Sequence, residues 1–80
     1  MNVSNTREVS FHGCGLSDHL LAVRPGVPRD EALHCAADFL ATTHDLLLVA
    51  EEVDSAAARA AAILLVEAAT AVINAAGGAD

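Results

Sequence analysis

Apolar residues in the middle of the chain recur with a seven-residue period. Leu33, Leu40 and Leu47 form one row and Ala36, Thr43 and Ala50 a second, while Ala32, Phe39, Leu46 and Val53 widen the stripe beside them. Glu31, Asp38, Asp45 and Glu52 repeat with the same period on the far side. This pattern predicts an amphipathic helix of about 25 residues, near 37 Å long, with an acidic outer edge. Its start is marked by Pro28, whose missing N–H costs nothing in a first turn, and by Asp30 and Glu31 near the positive end of the helix dipole.

From Ala56 to Ala76 the pattern changes. Only Arg59, Glu67, Thr70 and Asn74 are polar there, and at about 100° per residue they occupy roughly 80° of arc. Ile63, Leu64, Leu65, Val66, Val72 and Ile73 are spread around the rest among alanines. One neighbouring helix cannot cover so wide an apolar surface. Asp54-Ser55 is a good capping pair at the junction, so a tight turn folding the second helix onto the first is favoured over one continuous rod. Gly77-Gly78 supplies the stop.

The expected fold class is therefore all-α: a two-helix hairpin with an extended N-terminal arm, two copies of which dimerise into a four-helix bundle. Leu33, Phe39, Leu40, Leu47, Leu65 and Val72 are the expected dimer core. The narrow stripe with Arg59, Ile63, Glu67, Thr70 and Asn74 is the candidate partner surface. Residues 1–10 are polar and aperiodic and are expected to be a disordered tail; 11–27 form the arm and turn, 28–76 the helical hairpin and 77–80 a tail. Within the arm, His19–Val23 reads either as an edge strand or as an extended segment lying over the helices, and Pro25-Gly26 marks a turn.

Eighty residues allow one domain, and so short a chain needs disulfides, metal or oligomerisation to be comfortably stable. Eleven acids stand against four arginines and no lysine, for a formal charge of −7, which argues against direct nucleic-acid binding. The two cysteines, Cys14 and Cys35, follow no charged-then-apolar leader, so a reduced, cytoplasmic protein without a disulfide is expected. The apolar run Ala60–Ala76 is rejected as a membrane span on its length, on Glu67 in its middle and on the absence of flanking lysine or arginine.

Little in the chain carries chemistry. His12, Cys14 and His19, with His34-Cys35 further on, are the only residues of metal-ligand type near one another, and half of a zinc pattern is missing. His34 and Asp38 are four apart and form at most a surface pair. Ser17, Asp18 and His19 are consecutive, which is no evidence for a triad, and no phosphate-cradling glycine loop is present. No catalytic residue, cofactor or metal is expected. The acidic row Glu31, Asp38, Asp45 and Glu52 is read as a solvated face.

The block FHGCG…HLLAVRPGVPRDEALHCAADFLA resembles a family of short proteobacterial proteins of unknown function, with an extended arm, a V-R-x-G-[VI]-P turn and a helix opening E/D-A-L-x-x-A. Val23, Arg24, Gly26, Val27, Pro28, Ala32, Leu33, Ala36 and Leu40 carry the likeness over roughly Phe11 to Ala50. The second helix departs from that pattern, with alanine where aromatic and basic residues are common. The chain is also similar to a quorum-sensing antiactivator, a small helical protein that binds a LuxR-type transcription factor. That resemblance implies a non-enzymatic homodimer whose partner is a transcriptional regulator, bound by protein contacts. Two other readings stand beside it: a phage-type acidic inhibitor of a nucleoprotein complex, and a small metal- or redox-sensing module around His12, Cys14 and Cys35.

Overall fold

The structure, a computed structural model, describes residues 5–13 and 19–77. Its elements in chain order are β1 (Val9–Gly13), β2 (His19–Val23), α1 (Arg29–Val53) and α2 (Ala56–Gly77). The two helices pack against each other as the expected hairpin. Cys14, Ser17 and Asp18 lie outside the described residues, as do residues 1–4 and 78–80.

The junction shows why the rod breaks. α1 ends at Val53, and Asp54 takes a left-handed backbone (φ 52°, ψ 54°), a conformation in which a helix cannot continue. Ser55 then caps α2: its Oγ accepts from the Ala58 N–H at 3.1 Å, and its carbonyl accepts the first helical bond from Arg59 N–H at 3.2 Å. Arg59 reaches back to the Asp54 carboxylate at 2.9 Å. At the other end Pro28 is the residue before α1, and its carbonyl accepts from Ala32 N–H at 3.0 Å.

Three expectations for the N-terminal third are corrected. The chain is not all-α, because β1 and β2 pair as an antiparallel sheet with Val9 opposite Val23, Phe11 opposite Leu21 and Gly13 opposite His19. Five-residue strands are too short to stand alone, but here they also rest on α2. Residues 5–10 are no disordered tail. Asn5 bridges Pro28, Thr6 is buried, and the strand begins at Val9. The arm of 11–27 accordingly holds β2 and the last three residues of β1, a strand that begins before it.

Thr6 explains the order of that segment. Its N–H donates to the Val27 carbonyl at 2.8 Å and its own carbonyl accepts from Gly26 N–H at 3.0 Å. Its hydroxyl donates to the Arg24 carbonyl at 2.8 Å and accepts from Val27 N–H at 3.0 Å. One buried threonine thus satisfies the whole Arg24–Val27 turn, in which Pro25 can donate nothing and Gly26 sits at φ 85°. Next to it, Arg7 N–H donates to the Ala75 carbonyl at 3.1 Å, tying this segment to the last turn of α2.

The core is built of small residues. Ala32, Ala36, Thr43 and Ala50 are buried on α1, and Ala58, Ala62, Ala69, Ala71, Ala75 and Ala76 on α2. Of the two heptad rows, the alanine-threonine row faces α2, and Thr43 satisfies its hydroxyl on the Phe39 carbonyl at 2.8 Å. The leucine row lies beside it, with Leu40 44% and Leu47 50% exposed. Small side chains bring the helices to close approach, and the larger ones are displaced to the edges of the contact.

At 22 residues α2 is long and apolar enough, by length and composition, to cross a membrane, so the length objection raised from the sequence does not hold. The helix lies against α1 and the β-hairpin, with Glu67 at its middle.

Candidate functional site

Two concave surfaces flank the polar stripe of α2. The first is an open groove of about 330 Å³ between the helices, lined by Thr43 and Leu47 of α1 and by Arg59, Ala62, Ile63, Val66 and Glu67 of α2. Ala62 and Thr43 are buried and form its floor, while Ile63, Val66 and Leu47 stand at its walls, 60%, 42% and 50% exposed. Arg59 and Glu67 mark its two ends.

The second is a cleft of about 440 Å³ between α2 and the β-hairpin, lined on one side by Val66, Glu67, Thr70, Ala71 and Asn74, and on the other by Val9 to Gly13 with His19. Here His12 Nδ1 lies 2.6 Å from Glu67 Oε1. In a regular strand His12 would point away from the face shared by Val9 and Phe11. Its left-handed backbone (φ 60°) departs from a regular strand, and its ring reaches the Glu67 carboxylate on α2.

The sequence-derived partner surface is therefore divided. Arg59, Ile63 and Glu67 line the groove, whereas Thr70 and Asn74, with Glu67 again, line the cleft beside β1 and remain exposed. The six residues expected as dimer core are divided too. Taking about 100° per residue from the buried rows, Leu33, Leu40 and Leu47 fall on the groove side of the helix pair, and Phe39, Leu65 and Val72 fall on the opposite side. Leu33, Phe39, Leu65 and Val72 are half-buried within the single chain. Ile73, 45% exposed, extends the apolar strip on the groove side.

The sequence gives no sign that Val66 and His12 belong to these two surfaces. Val66 is one of many aliphatic residues on α2, and His12 meets Glu67 only through a contact 55 residues long. The other chemical candidates stay apart. Among the described residues no group of three potential metal ligands converges, and no hydrogen bond joins His34 to Asp38. Cys35 is a free, exposed thiol on α1. The acidic row Glu31, Asp38, Asp45 and Glu52 is exposed along its whole length.

The turn and helix start that carry the resemblance are thus one packed unit with the β-hairpin and both helices. A family model described as protein of unknown function (DUF3077) matches residues 6–77. The chain belongs to this family. The match begins at Thr6, the residue that ties down the turn, and runs to Gly77 at the end of α2, so the DUF3077 unit is the whole described fold. No curated protein and no solved structure matches the chain.

Proposed function

We propose that this protein is a non-enzymatic antiactivator, a dimeric helical hairpin that binds a LuxR-type quorum-sensing transcriptional regulator in the cytoplasm and blocks its action. The observation that supports protein binding is the apolar groove. Among the described residues ten large aliphatic side chains are 38% or more exposed, and Leu47, Ile63 and Val66 among them converge on one concave surface. Apolar surface gathered in this way marks an interaction site. The target class comes from the resemblance to antiactivators of the QslA type, and the family match adds no activity to it.

The test is a reporter driven by a LuxR-type regulator, with and without the protein co-expressed, paired with co-purification of the two. Repression together with a stable complex is the expected result. A reporter that does not respond, with no regulator retained, removes the target. The exposed acidic row on α1 favours one second reading, an acidic inhibitor of a nucleoprotein complex. Binding of that kind weakens steeply as salt rises and is competed by DNA, whereas binding through the groove does neither.

A further inference from the structure

We propose that the groove side of the helix pair is covered by a second copy of this chain, with the two α2 helices running antiparallel across a two-fold axis at Ile63. This rests on the dimeric part of the reading above, and adds which face is covered and what fixes its register; a regulator that uses the same groove then binds in exchange for the second copy.

The shape of the chain calls for a second layer. Its Cα extents are 48 × 31 × 15 Å and its radius of gyration is 14.0 Å, against about 12 Å for a compact chain of this length. The thin dimension is that of one layer of helices, whereas a domain buries its apolar faces between two. Among the described residues the buried apolar side chains are all alanine, while Leu40, Leu47, Ile63, Val66 and Ile73 stand outside the core, 42–60% exposed, on the groove side. A second copy supplies the missing layer.

Charge complementarity selects a second copy over a foreign chain. An isologous interface needs each residue that faces another to be faced by it in return. Arg59 and Glu67 both line the groove, and each lies four residues from Ile63. A two-fold axis at Ile63 therefore sets each Arg59 opposite the other copy's Glu67, twice, with about 12 Å between the two pairs along the helix. Ile63 of each copy then seats on the buried Ala62 of the other, between Leu47 and Val66. The pairs already made within one chain remain, because a guanidinium has further N–H donors beyond the one on Asp54 and Glu67 has a second oxygen beyond the one on His12. The acidic row faces the other way, which keeps most of the −7 charge of each copy off the interface.

Sedimentation equilibrium of the full chain tests this, with circular dichroism as a folding control. The wild type is expected to be a dimer, and Ile63→Asp to weaken it at least ~30-fold, the effect of removing an interface hot spot, while helix content persists. Arg59→Glu and Glu67→Arg should each weaken the dimer and the double charge swap should recover it, which no contact within one copy can do across eight residues of helix. Ile63→Cys with Cys14 and Cys35 replaced by serine should cross-link to itself on oxidation. A wild type that stays monomeric at about 100 μM overturns the proposal. So does a dimer that Ile63→Asp leaves intact, a double swap no better than its single variants, or a dimer in which Ile63→Cys does not cross-link. A monomer that still represses the reporter overturns this pairing and leaves the antiactivator reading standing. A dimer with all the expected variant effects but no regulator bound does the opposite.

Discussion

His12 and Glu67 meet at 2.6 Å across 55 residues of sequence, and their pair is the one described side-chain hydrogen bond between the β-hairpin and α2. Both side chains are nearly half exposed, so the pair contributes no more than about 1 kcal/mol to overall stability. Its larger effect is local. His12→Ala and Glu67→Ala should each leave helix content unchanged and speed hydrogen exchange in Val9–Gly13 and His19–Val23. A double-mutant cycle checks this: unchanged exchange in both single variants would show that the hairpin is held on α2 without this pair. The two variants also separate roles for Glu67. If Glu67→Ala weakens self-association and His12→Ala does not, the carboxylate acts across the interface rather than through the hairpin.

Thr6 predicts a larger effect from a smaller change. Thr6→Val keeps the shape but removes the hydroxyl between the Arg24 carbonyl and the Val27 N–H, leaving both without that partner in a part-buried place. A loss of about 1–3 kcal/mol is expected, read as a lower urea midpoint at unchanged slope. Thr6→Ser, which keeps the hydroxyl, should recover most of it. A Thr6→Val midpoint within error of wild type would mean that the backbone bonds to Gly26 and Val27 hold the turn unaided.

The interhelical turn offers two substitutions of opposite sign. Ser55→Ala removes the cap on the Ala58 N–H and should cost about 1 kcal/mol. Asp54→Gly relieves a left-handed non-glycine backbone worth about 1–2 kcal/mol. It also loses a highly exposed pair with Arg59, whose worth is small, so a net gain is expected. Thermal melts at fixed protein concentration check both, since a self-associating chain has a concentration-dependent midpoint. Destabilisation by Asp54→Gly would show that the Arg59 contact matters more than the strain.

The helices were legible because their signals are local: a seven-residue repeat, a proline before Arg29, and a capping serine at the break all act within a few residues. Which row would be buried was harder to read. Hydrophobicity favours Leu33, Leu40 and Leu47, but the facing helix is alanine, and close packing selects Ala36, Thr43 and Ala50 instead. The N-terminal strand was illegible for a different reason. VSFHG has no strong alternation, and its order comes from the turn that Thr6 closes and from the surface of α2, both of which are distant in sequence. The same distance hid the division of the polar stripe, since nothing near Thr70 or Asn74 shows that β1 forms the other side of their cleft.

An alanine core makes a prediction that runs against the usual expectation for hydrophobic substitution. Ala69 is 1% exposed, on the same row as the buried Ala62 and Ala76 that faces α1. Enlarging it to leucine adds apolar surface but has to force the helices apart, and overpacking of this kind costs about 1–3 kcal/mol. Leu47→Ala removes more apolar atoms, yet Leu47 is half exposed in the single chain. In dilute protein, where the chain is monomeric, Ala69→Leu should therefore lower the urea midpoint more than Leu47→Ala does. At concentrations where two copies pair, Leu47→Ala should become the costlier change, because its side chain is then covered. If the ranking of the two variants is the same at both concentrations, Leu47 is not part of a self-association surface and the second layer lies elsewhere.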